Sequence, residues 1–388
     1  MSKIDEEAFK MPYIIFKHYK LPSRAVSYNK SFWLKKKKYF FKFTPNSYKR
    51  NDTGFIVGEL FVKALCDKLG IPCVDYRYAI NRHLTYEQRG VLSKSFLNDG
   101  EKDIMLRTID EMRVFSQLPE DFMFKVEILY TQMEPMKKFF DRKDVNHMML
   151  VLLDKKNPRR ARLLPFEKSF IDKNRGALEA IEQVTRMKPN ITTNWCIRNI
   201  CSFLKSNNLT MEDDLRFRLQ QIAILDAITK QHDRHSGNIS IIYDEKTHKA
   251  RIAPIYDNGL CGPFFSKEDF KYPQETLCYL KLTPRDYFDL ANPSTAIGKF
   301  YEQVKSLTKA DFLEIGQGIT KACSNTDLAR SKLLTQKYGA LDERGQDDEA
   351  WMQTYKNYVE GIKMLDREIE KYKQDSSYEK GDSYIKIF

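Results

Sequence analysis

Residues 231–259 read QHDRHSGNISIIYDEKTHKARIAPIYDNG, a polar loop followed by two short runs of β type. Asp233, Asn238 and Asp257 supply oxygen-bearing side chains along it. The runs ISIIY and ARIAPIY, joined by the turn DEKTHK, predict a β-hairpin between Asn238 and Asp257. Because the two ends of a hairpin lie close together, we expect these two side chains to be neighbours. Carboxylate and amide oxygens in such a cluster are ligands that Mg²⁺ accepts.

A long helix is predicted immediately before this loop. Thr210 and Asp213 form a capping-box pattern, and Leu215, Leu219, Ile222 and Leu225 recur at helical spacing on one face as far as Ile228. The residues Ser-Gly-Asn that follow predict a loop. We therefore expect a polar loop anchored by a buried helix.

An upstream strand and helix supply a lysine and a glutamate. The run YFFKF predicts a strand in which Phe40 and Lys42 share one face, so Lys42 either faces an anionic group or protects a sheet edge. Residues 53–69 predict a helix with Glu59 near its buried edge. The candidate cations for Glu59 are Lys42, on the neighbouring strand, and Lys63, one helical turn further along.

The order of predicted elements gives an α+β fold with a small strand-rich lobe and a larger, mainly helical lobe. We predict an N-terminal lobe over residues 1–98, a helical C-terminal lobe with the loop over residues 99–325, and a helical extension over residues 326–388. Helical periodicity dominates residues 103–230. In the extension, aromatic and apolar residues recur at alternating spacings of 4 and 3. This spacing favours docking on the main body over self-association, and the oligomeric state stays open.

The composition predicts a folded, soluble protein. Of the 388 residues, 42% are hydrophobic, and no apolar run is long enough to predict a membrane span. The charged N-terminal segment lacks the pattern of a signal peptide, and the seven scattered cysteines fit reduced thiols, so we expect a cytoplasmic location. The net charge of +12 favours an anionic surface or nucleic acid as partner through residues 35–38 and 155–162, or else marks a solvated basic face.

The chemistry-bearing residues follow the order found in phosphoryl transfer. An aspartate precedes Asn238 with the spacing D-x-x-x-x-N, and Asp257 stands before Asn-Gly across the predicted hairpin. Lys42 and Glu59 lie upstream in the same order as the lysine and glutamate that position nucleotide phosphates. The set indicates a phosphotransferase.

The segments DRHSGNIS and IAPIYDNG resemble the HipA-like branch of the protein-kinase-like superfamily. In that branch an Asp-x-His-x-x-Asn loop leads to a segment L/I-A-P-x-Y-D. The run FFKF, the helix with Glu59 and the run GVLSKSF are similar to the family's ATP-lysine strand, second helix and hinge, so the resemblance covers about residues 35–100 and 210–265. It implies a bilobal kinase fold, ATP and Mg²⁺ as cofactors, and phosphorylation of serine or threonine in a protein substrate.

The resemblance implies roles for residues of the loop and the hairpin. Asp233 corresponds to the catalytic base, and Asn238 and Asp257 correspond to the Mg²⁺ ligands. His235 matches the family's histidine, which implies either contact with the transferred phosphate or a hydrogen bond that structures the loop.

The resemblance also implies a nucleotide site in the N-terminal lobe. Lys42 would contact the α- and β-phosphates with Glu59 as its partner. Ser95 and Phe96 would lie at the adenine hinge, for which the apolar run HMMLVLL at residues 147–153 is the second candidate. The phosphate-covering segment LPSRAVSYNKS lacks the usual glycine, so its backbone amides and serine hydroxyls, Ser27 included, would cover the phosphates.

Three alternative functions follow from the same residues. A phosphoinositide kinase shares the loop D-R-H-x-x-N, but APIYDNG differs from the I-D-F-G segment of that family. A metal phosphohydrolase would use His147, His232, Asp233 and Asp257, and it would require a helix where Ser-Gly-Asn predicts a loop. A catalytically inactive scaffold of the same fold is the third. In an active kinase, the serines of residues 23–31 are candidate autophosphorylation sites.

Overall fold

The computed structural model describes residues 13–16, 29–34, 37–43, 54–82, 87–95, 104–117, 190–231, 233–259, 261, 280–324 and 347–373. Contacts divide the chain into two compact units, each discontinuous in sequence. The first comprises residues 1–101, 216–234 and 254–388, and the second comprises residues 102–215 and 235–253. The predicted domain boundaries at 98/99 and 325/326 lie outside the described residues and stay predictions.

Strands and helices are both present, which confirms the predicted α+β class. The strands are β1 Tyr13–Phe16, β2 Asn29–Leu34, β3 Lys37–Phe43, β4 Arg77–Arg82, β5 Glu87–Lys94, β6 Ile104–Thr108, β7 Thr210–Met211, β8 Ser240–Asp244 and β9 Lys249–Ile252. The helices are α1 Gly54–Leu69, α2 Ile109–Gln117, α3 Thr193–Ser206, α4 Leu215–Thr229, α5 Pro284–Ala291, α6 Ala296–Lys305, α7 Lys309–Ser324 and α8 Asp347–Lys373. Among the described residues, none of the helices has the length and apolar character needed to cross a membrane.

The first unit carries a mixed sheet in the order β1-β4-β5-β3-β2. β1 runs parallel to β4, and the other neighbouring strands are antiparallel. The alternation predicted for β3 is confirmed, because Tyr39 and Phe41 are buried while Phe40 and Lys42 are half-buried. The sheet therefore presents Lys42 on the face opposite the buried aromatic rings.

Helix α1 packs on this sheet through an apolar face. Ile56, Leu60 and Leu65 are buried, as their helical spacing predicts, and the helix ends at Leu69. The buried face also includes Glu59, whose carboxylate lies fully out of contact with solvent. A buried carboxylate requires a cation or several hydrogen-bond donors.

The sequence predicts a strand over residues 71–80, but β4 begins only at Arg77. Ahead of it, the N–H of Val74 donates to the carbonyl of Ile255 at 2.9 Å, and the N–H of Ile255 donates to the carbonyl of Pro72 at 3.0 Å. These residues therefore pair with the segment before Asp257 instead of extending β4. The connection between α1 and β4 thus helps to position Asp257.

The C-terminal helix α8 packs on α5 and α7 within the first unit, which confirms the predicted docking. Trp351, Tyr358, Leu365 and Ile369 are buried. The hydroxyl of Tyr358 donates to the carbonyl of Val304 in α6 at 2.6 Å. The aromatic and apolar residues that recur along α8 therefore pack against other helices of the same chain.

Two glycines of α7 test this docking. A Cβ at Gly316 would lie 2.4 Å from the ring of Trp351, whereas a Cβ at Gly318 would meet nothing within 4 Å. We expect Gly316→Ala to lower the free energy of unfolding by about 1–3 kcal/mol through overpacking. We expect Gly318→Ala to raise it by up to about 1 kcal/mol, because alanine favours the helix. Chemical denaturation measures both, and equal effects at the two sites would contradict the docking.

The second unit is built on a sheet in the order β6-β8-β9-β7. Strands β8 and β9 form the predicted antiparallel hairpin, in which Ile241 pairs with Ile252. Helix α2 packs against α3, and the ring of Phe203 in α3 contacts the ring of Tyr243 in β8 at a centroid distance of 5.5 Å. The hairpin thus has a covered apolar face.

The predicted helical character of residues 103–230 is wrong at two places. β6 is a strand that pairs with β8, and β7 is a strand that pairs with β9. Helix α4 consequently begins at Leu215 rather than at Thr210, and the carboxylate of Asp213 accepts the N–H of Ile252 at 2.6 Å instead of capping that helix. Both segments are short, and short segments satisfy helix and strand patterns alike until a neighbouring strand decides.

Candidate active site

Lys42 of β3 and Glu59 of α1 form an ion pair in the first unit. The Nζ atom of Lys42 lies 2.6 Å from Oε1 of Glu59, and the two side chains are 13% and 0% exposed. Lys63, the other candidate partner of Glu59, contacts Asp67 and Asp75. The predicted pairing of Lys42 with Glu59 is therefore present.

Asp257 contacts the same ammonium group. Its Oδ1 accepts a hydrogen bond from Nζ of Lys42, and its side chain is 36% exposed. Burial alone lowers the pKa of Lys42, but the carboxylates of Asp257 and Glu59 outweigh burial and hold that pKa above its ordinary value. Burial raises the pKa of Glu59, and the charge of Lys42 opposes that shift. The arrangement is a fixed cation between one buried and one accessible carboxylate.

The second oxygen of Glu59 holds the chain just after Asp257. Oε2 accepts the N–H of Asn258 at 2.9 Å. This close approach requires a glycine at position 58, because a Cβ there would lie 2.8 Å from the carbonyl oxygen of Gly259. One buried carboxylate thus fixes both Lys42 and the backbone beside Asp257.

Arg234 is 1% exposed, and its guanidinium joins three segments of the first unit. Nε and Nη2 donate to the carboxylate of Asp226 in α4 at 3.0 to 3.2 Å. Nη2 also donates to Oδ1 of Asn258 at 2.7 Å, and Nη1 donates to the carbonyl of Tyr256 at 3.0 Å. The arginine therefore connects the end of α4 to the residues on both sides of Asp257.

Asp233 lies next to this arginine and belongs to the first unit with Lys42, Glu59 and Asp257. Its side chain is half-buried, and its N–H donates to Oε1 of Gln231 at 3.3 Å. The predicted base thus lies two residues after a fixed glutamine and directly before a fixed arginine. Its catalytic role stays a prediction.

His235 and Asn238 belong to the second unit, at the two ends of a short 3-10 turn. The Nδ1 atom of His235 accepts the N–H of Gly237 at 3.0 Å, which is the loop-structuring bond expected as one of its two roles. Asn238 is buried, and its N–H donates to the carbonyl of His235 at 2.9 Å. The pairing of Asn238 with Asp257 as metal ligands stays a prediction.

The remaining predicted residues are those assigned from the sequence to the adenine hinge, the phosphate-covering segment and the alternative phosphohydrolase. Ser95 follows β5 and is buried, and its place at a hinge stays a prediction. Ser27, Phe96, His147 and His232 lie outside the described residues.

Several polar residues of the site escaped sequence reasoning. Asp226 interrupts the apolar run IAILDAI, which is a signal for a buried charge, but nothing in the pattern identifies Arg234 as its partner. Gln231 and Tyr76 contact the backbone of Asp257, and neither belongs to a charge pattern. In the second unit, Oγ of Ser236 donates to Oδ1 of Asp110 at 2.5 Å, again between distant segments.

The side chains around Lys42 suit a nucleotide with Mg²⁺. This ion takes one or two carboxylates together with substrate phosphates and water. Asp257 offers an accessible carboxylate of that kind, and Lys42 offers a positive charge beside it. Among the described residues, no three histidine, cysteine, aspartate or glutamate side chains form a group that could hold a metal by themselves.

Several solved structures match the chain weakly, among them a kinase and a toxin–antitoxin complex. No family model and no curated protein matches the chain. The Helicobacter pylori proinflammatory kinase CtkA is 13% identical over 93% of this chain and 98% of that chain, with a TM-score of 0.43. HipA of Shewanella oneidensis MR-1, solved with HipB and operator DNA, is 11% identical over 86% of this chain and 58% of that chain, with a TM-score of 0.30. At these scores neither similarity by itself assigns an activity.

Proposed function

We propose that the chain is an ATP- and Mg²⁺-dependent phosphotransferase, a HipA-like protein kinase that phosphorylates serine or threonine. The observation that carries this proposal is the contact of Lys42 with both Glu59 and Asp257. Lys42 and Asp257 are 215 residues apart in sequence. A solvated surface lysine does not require such a convergence, whereas a phosphate-binding lysine does.

Lys42 is suited to bind the phosphates of ATP. Its ammonium is fixed by Glu59, whose fully buried carboxylate keeps it at one position on β3. A cation that is already oriented stabilises the charge of the phosphates without reorganising during the reaction. Ser27, Ser95 and Phe96 complete the nucleotide site in this proposal.

Asp257 is suited to hold the metal, with Asn238 as the second proposed ligand. Its carboxylate is accessible, and its backbone is fixed on the side of Asn258 by Glu59. Bound Mg²⁺ would supply charge neutralisation between the phosphates. If the carboxylate of Asp257 binds Mg²⁺ instead of Lys42, the ammonium of Lys42 keeps Glu59 as its partner and can bind a phosphate group.

Asp233 is suited to act as the base for the acceptor hydroxyl. In the transfer, the hydroxyl oxygen bonds to the γ-phosphorus, and the bond from that phosphorus to the bridging oxygen of ADP breaks. The hydroxyl proton passes to the carboxylate of Asp233. The half-buried position of this carboxylate leaves it accessible to a substrate.

A transfer assay with the full chain tests the proposal. The chain is incubated with Mg²⁺ and γ-labelled ATP, alone, with a mixture of unfolded proteins, or with vesicles that contain phosphoinositides. We expect label in protein, and we expect mass spectrometry to find phosphoserine or phosphothreonine in the chain itself, with residues 23–31 as the first segment to inspect. Lys42→Met provides the inactive control.

Each other outcome selects a different function. Label in lipid alone would make the chain a phosphoinositide kinase. The loop D-R-H-x-x-N and the net charge of +12 are consistent with that function. Nucleotide binding without any transfer would make it a scaffold. Release of phosphate from esters with Mn²⁺ and without ATP would make it a phosphohydrolase.

A further inference from the structure

The backbone of Asp257 has an uncommon conformation. Its φ is +56°, in the left-handed region that non-glycine residues seldom adopt. A residue held there is strained and keeps its conformation only if its surroundings impose it. The groups that impose it therefore also determine where the carboxylate of Asp257 points.

Two side chains form hydrogen bonds with the backbone of Asp257, one at its N–H and one at its carbonyl. Its N–H donates to Oη of Tyr76 at 3.4 Å, and its carbonyl accepts Nε2 of Gln231 at 3.3 Å. Gln231 is 3% exposed, and Tyr76 is half-buried. Neither bond uses a carboxylate oxygen of Asp257, whose Oδ1 accepts a hydrogen bond from Lys42 instead.

The same glutamine amide also contacts Asp233. While Nε2 of Gln231 donates to Asp257, its Oε1 accepts the N–H of Asp233. The backbone of Gln231 is itself fixed, because its N–H donates to the carbonyl of Asp226 at 2.9 Å and it forms a β-bridge with Cys261. One rigid amide thus joins the backbones of the proposed base and the proposed metal ligand.

We infer that Gln231 is a positioning residue of the phosphotransfer site, whose side-chain amide fixes the spacing between Asp233 and Asp257. This inference rests on the proposed function. A neutral amide donates and accepts at the same time, which neither a carboxylate nor a hydrocarbon side chain does. Tyr76 accepts the N–H of Asp257 and so helps to keep that residue in its left-handed conformation.

The test is Gln231→Met, a replacement of similar length that makes neither bond. Isothermal titration calorimetry measures the binding of Mg²⁺ with a non-hydrolysable ATP analogue to the full chain. We expect binding about 10- to 100-fold weaker than in the wild type, as when an outer hydrogen bond to a metal ligand is lost. We also expect the Mg²⁺ concentration at half-maximal transfer to rise by a similar factor.

Gln220→Met is the matched control. Gln220 is also a buried glutamine of the first unit, and its Nε2 donates to the carboxylate of Asp286 at 2.9 Å. This variant should lose stability while binding the Mg²⁺-nucleotide within about twofold of the wild type. A merely structural role of Gln231 would make the two variants behave alike, and that result would overturn the inference.

Tyr76→Phe gives a second test in case Gln231→Met does not fold. It removes the acceptor for the N–H of Asp257, so weaker Mg²⁺-nucleotide binding supports the inference, and unchanged binding overturns it. The proposed function fails in a different way. If the wild type itself neither binds the Mg²⁺-nucleotide nor transfers phosphate, the phosphotransferase is refuted before any variant is compared.

Discussion

The variant Asp233→Asn should bind the Mg²⁺-nucleotide about as tightly as the wild type but transfer phosphate about 1,000-fold more slowly. The replacement keeps the size of the side chain and removes its capacity to take a proton. The N–H of Asp233 still donates to Gln231, so the loop should keep its course. The loss should therefore lie in turnover and leave the affinity for nucleotide nearly unchanged.

Transfer rates at saturating nucleotide, together with calorimetric affinities, check this expectation. Asp67→Asn is the control, because Asp67 is an exposed aspartate of the same unit that contacts Lys63. This control should transfer phosphate within about twofold of the wild type. An Asp233→Asn variant as active as the control would exclude Asp233 as the base. A loss of nucleotide affinity equal to the loss of rate would assign it a binding role instead.

The parts of the fold that could be predicted depend on local periodicity. The alternation around Lys42, the helix that carries Glu59 and the hairpin after Asn238 all follow from residues close together in sequence. Their bounds are close to those observed in β3, α1 and β8, whereas β9 ends at Ile252, four residues before the predicted end at Tyr256. The aromatic spacing of α8 likewise predicted its buried face.

The parts that could not be predicted depend on partners from distant segments. β6 and β7 are strands because they pair with β8 and β9, and both segments are too short for their own sequence to distinguish a strand from a helix. Helix α4 begins at Leu215, after the predicted start at Thr210, for the same reason: the carboxylate of Asp213 accepts the N–H of Ile252 in the sheet. Short segments take the structure that their neighbours impose.

The candidate site shows the same division. Residue types and their order predicted Lys42, Glu59 and Asp257 as members of one site, and the structure brings these three into contact. The residues that hold them in place were not predicted. Gln231 and Arg234 act through an amide and a guanidinium whose partners are mostly backbone groups or uncharged side chains, and such bonds leave no spacing pattern in the sequence.

The variant Arg234→Met should lower the free energy of unfolding by about 3–5 kcal/mol, the range for a broken buried ion pair. The guanidinium is 1% exposed, as is the carboxylate of Asp226 that faces it. Its loss leaves that carboxylate buried without a cation and removes the donors to Tyr256 and Asn258. Because Asn258 adjoins Asp257, we also expect weaker binding of the Mg²⁺-nucleotide.

The double variant Arg234→Met with Asp226→Asn separates two contributions to stability: the buried charge of Asp226 and the hydrogen bonds of Arg234 to Tyr256 and Asn258. Removing the carboxylate removes the unpaired charge, so the double variant should be more stable than Arg234→Met alone. It should stay below the wild type, because the acceptors on Tyr256 and Asn258 remain without Arg234. The control Arg285→Met breaks a pair with Asp289 in which the arginine side chain is 42% exposed, and should cost no more than about 1 kcal/mol. Urea unfolding measures the free energy of unfolding of all four proteins. If Arg234→Met lowered it as little as the control does, the hydrogen bonds of Arg234 would not hold the segment around Asp257 in place.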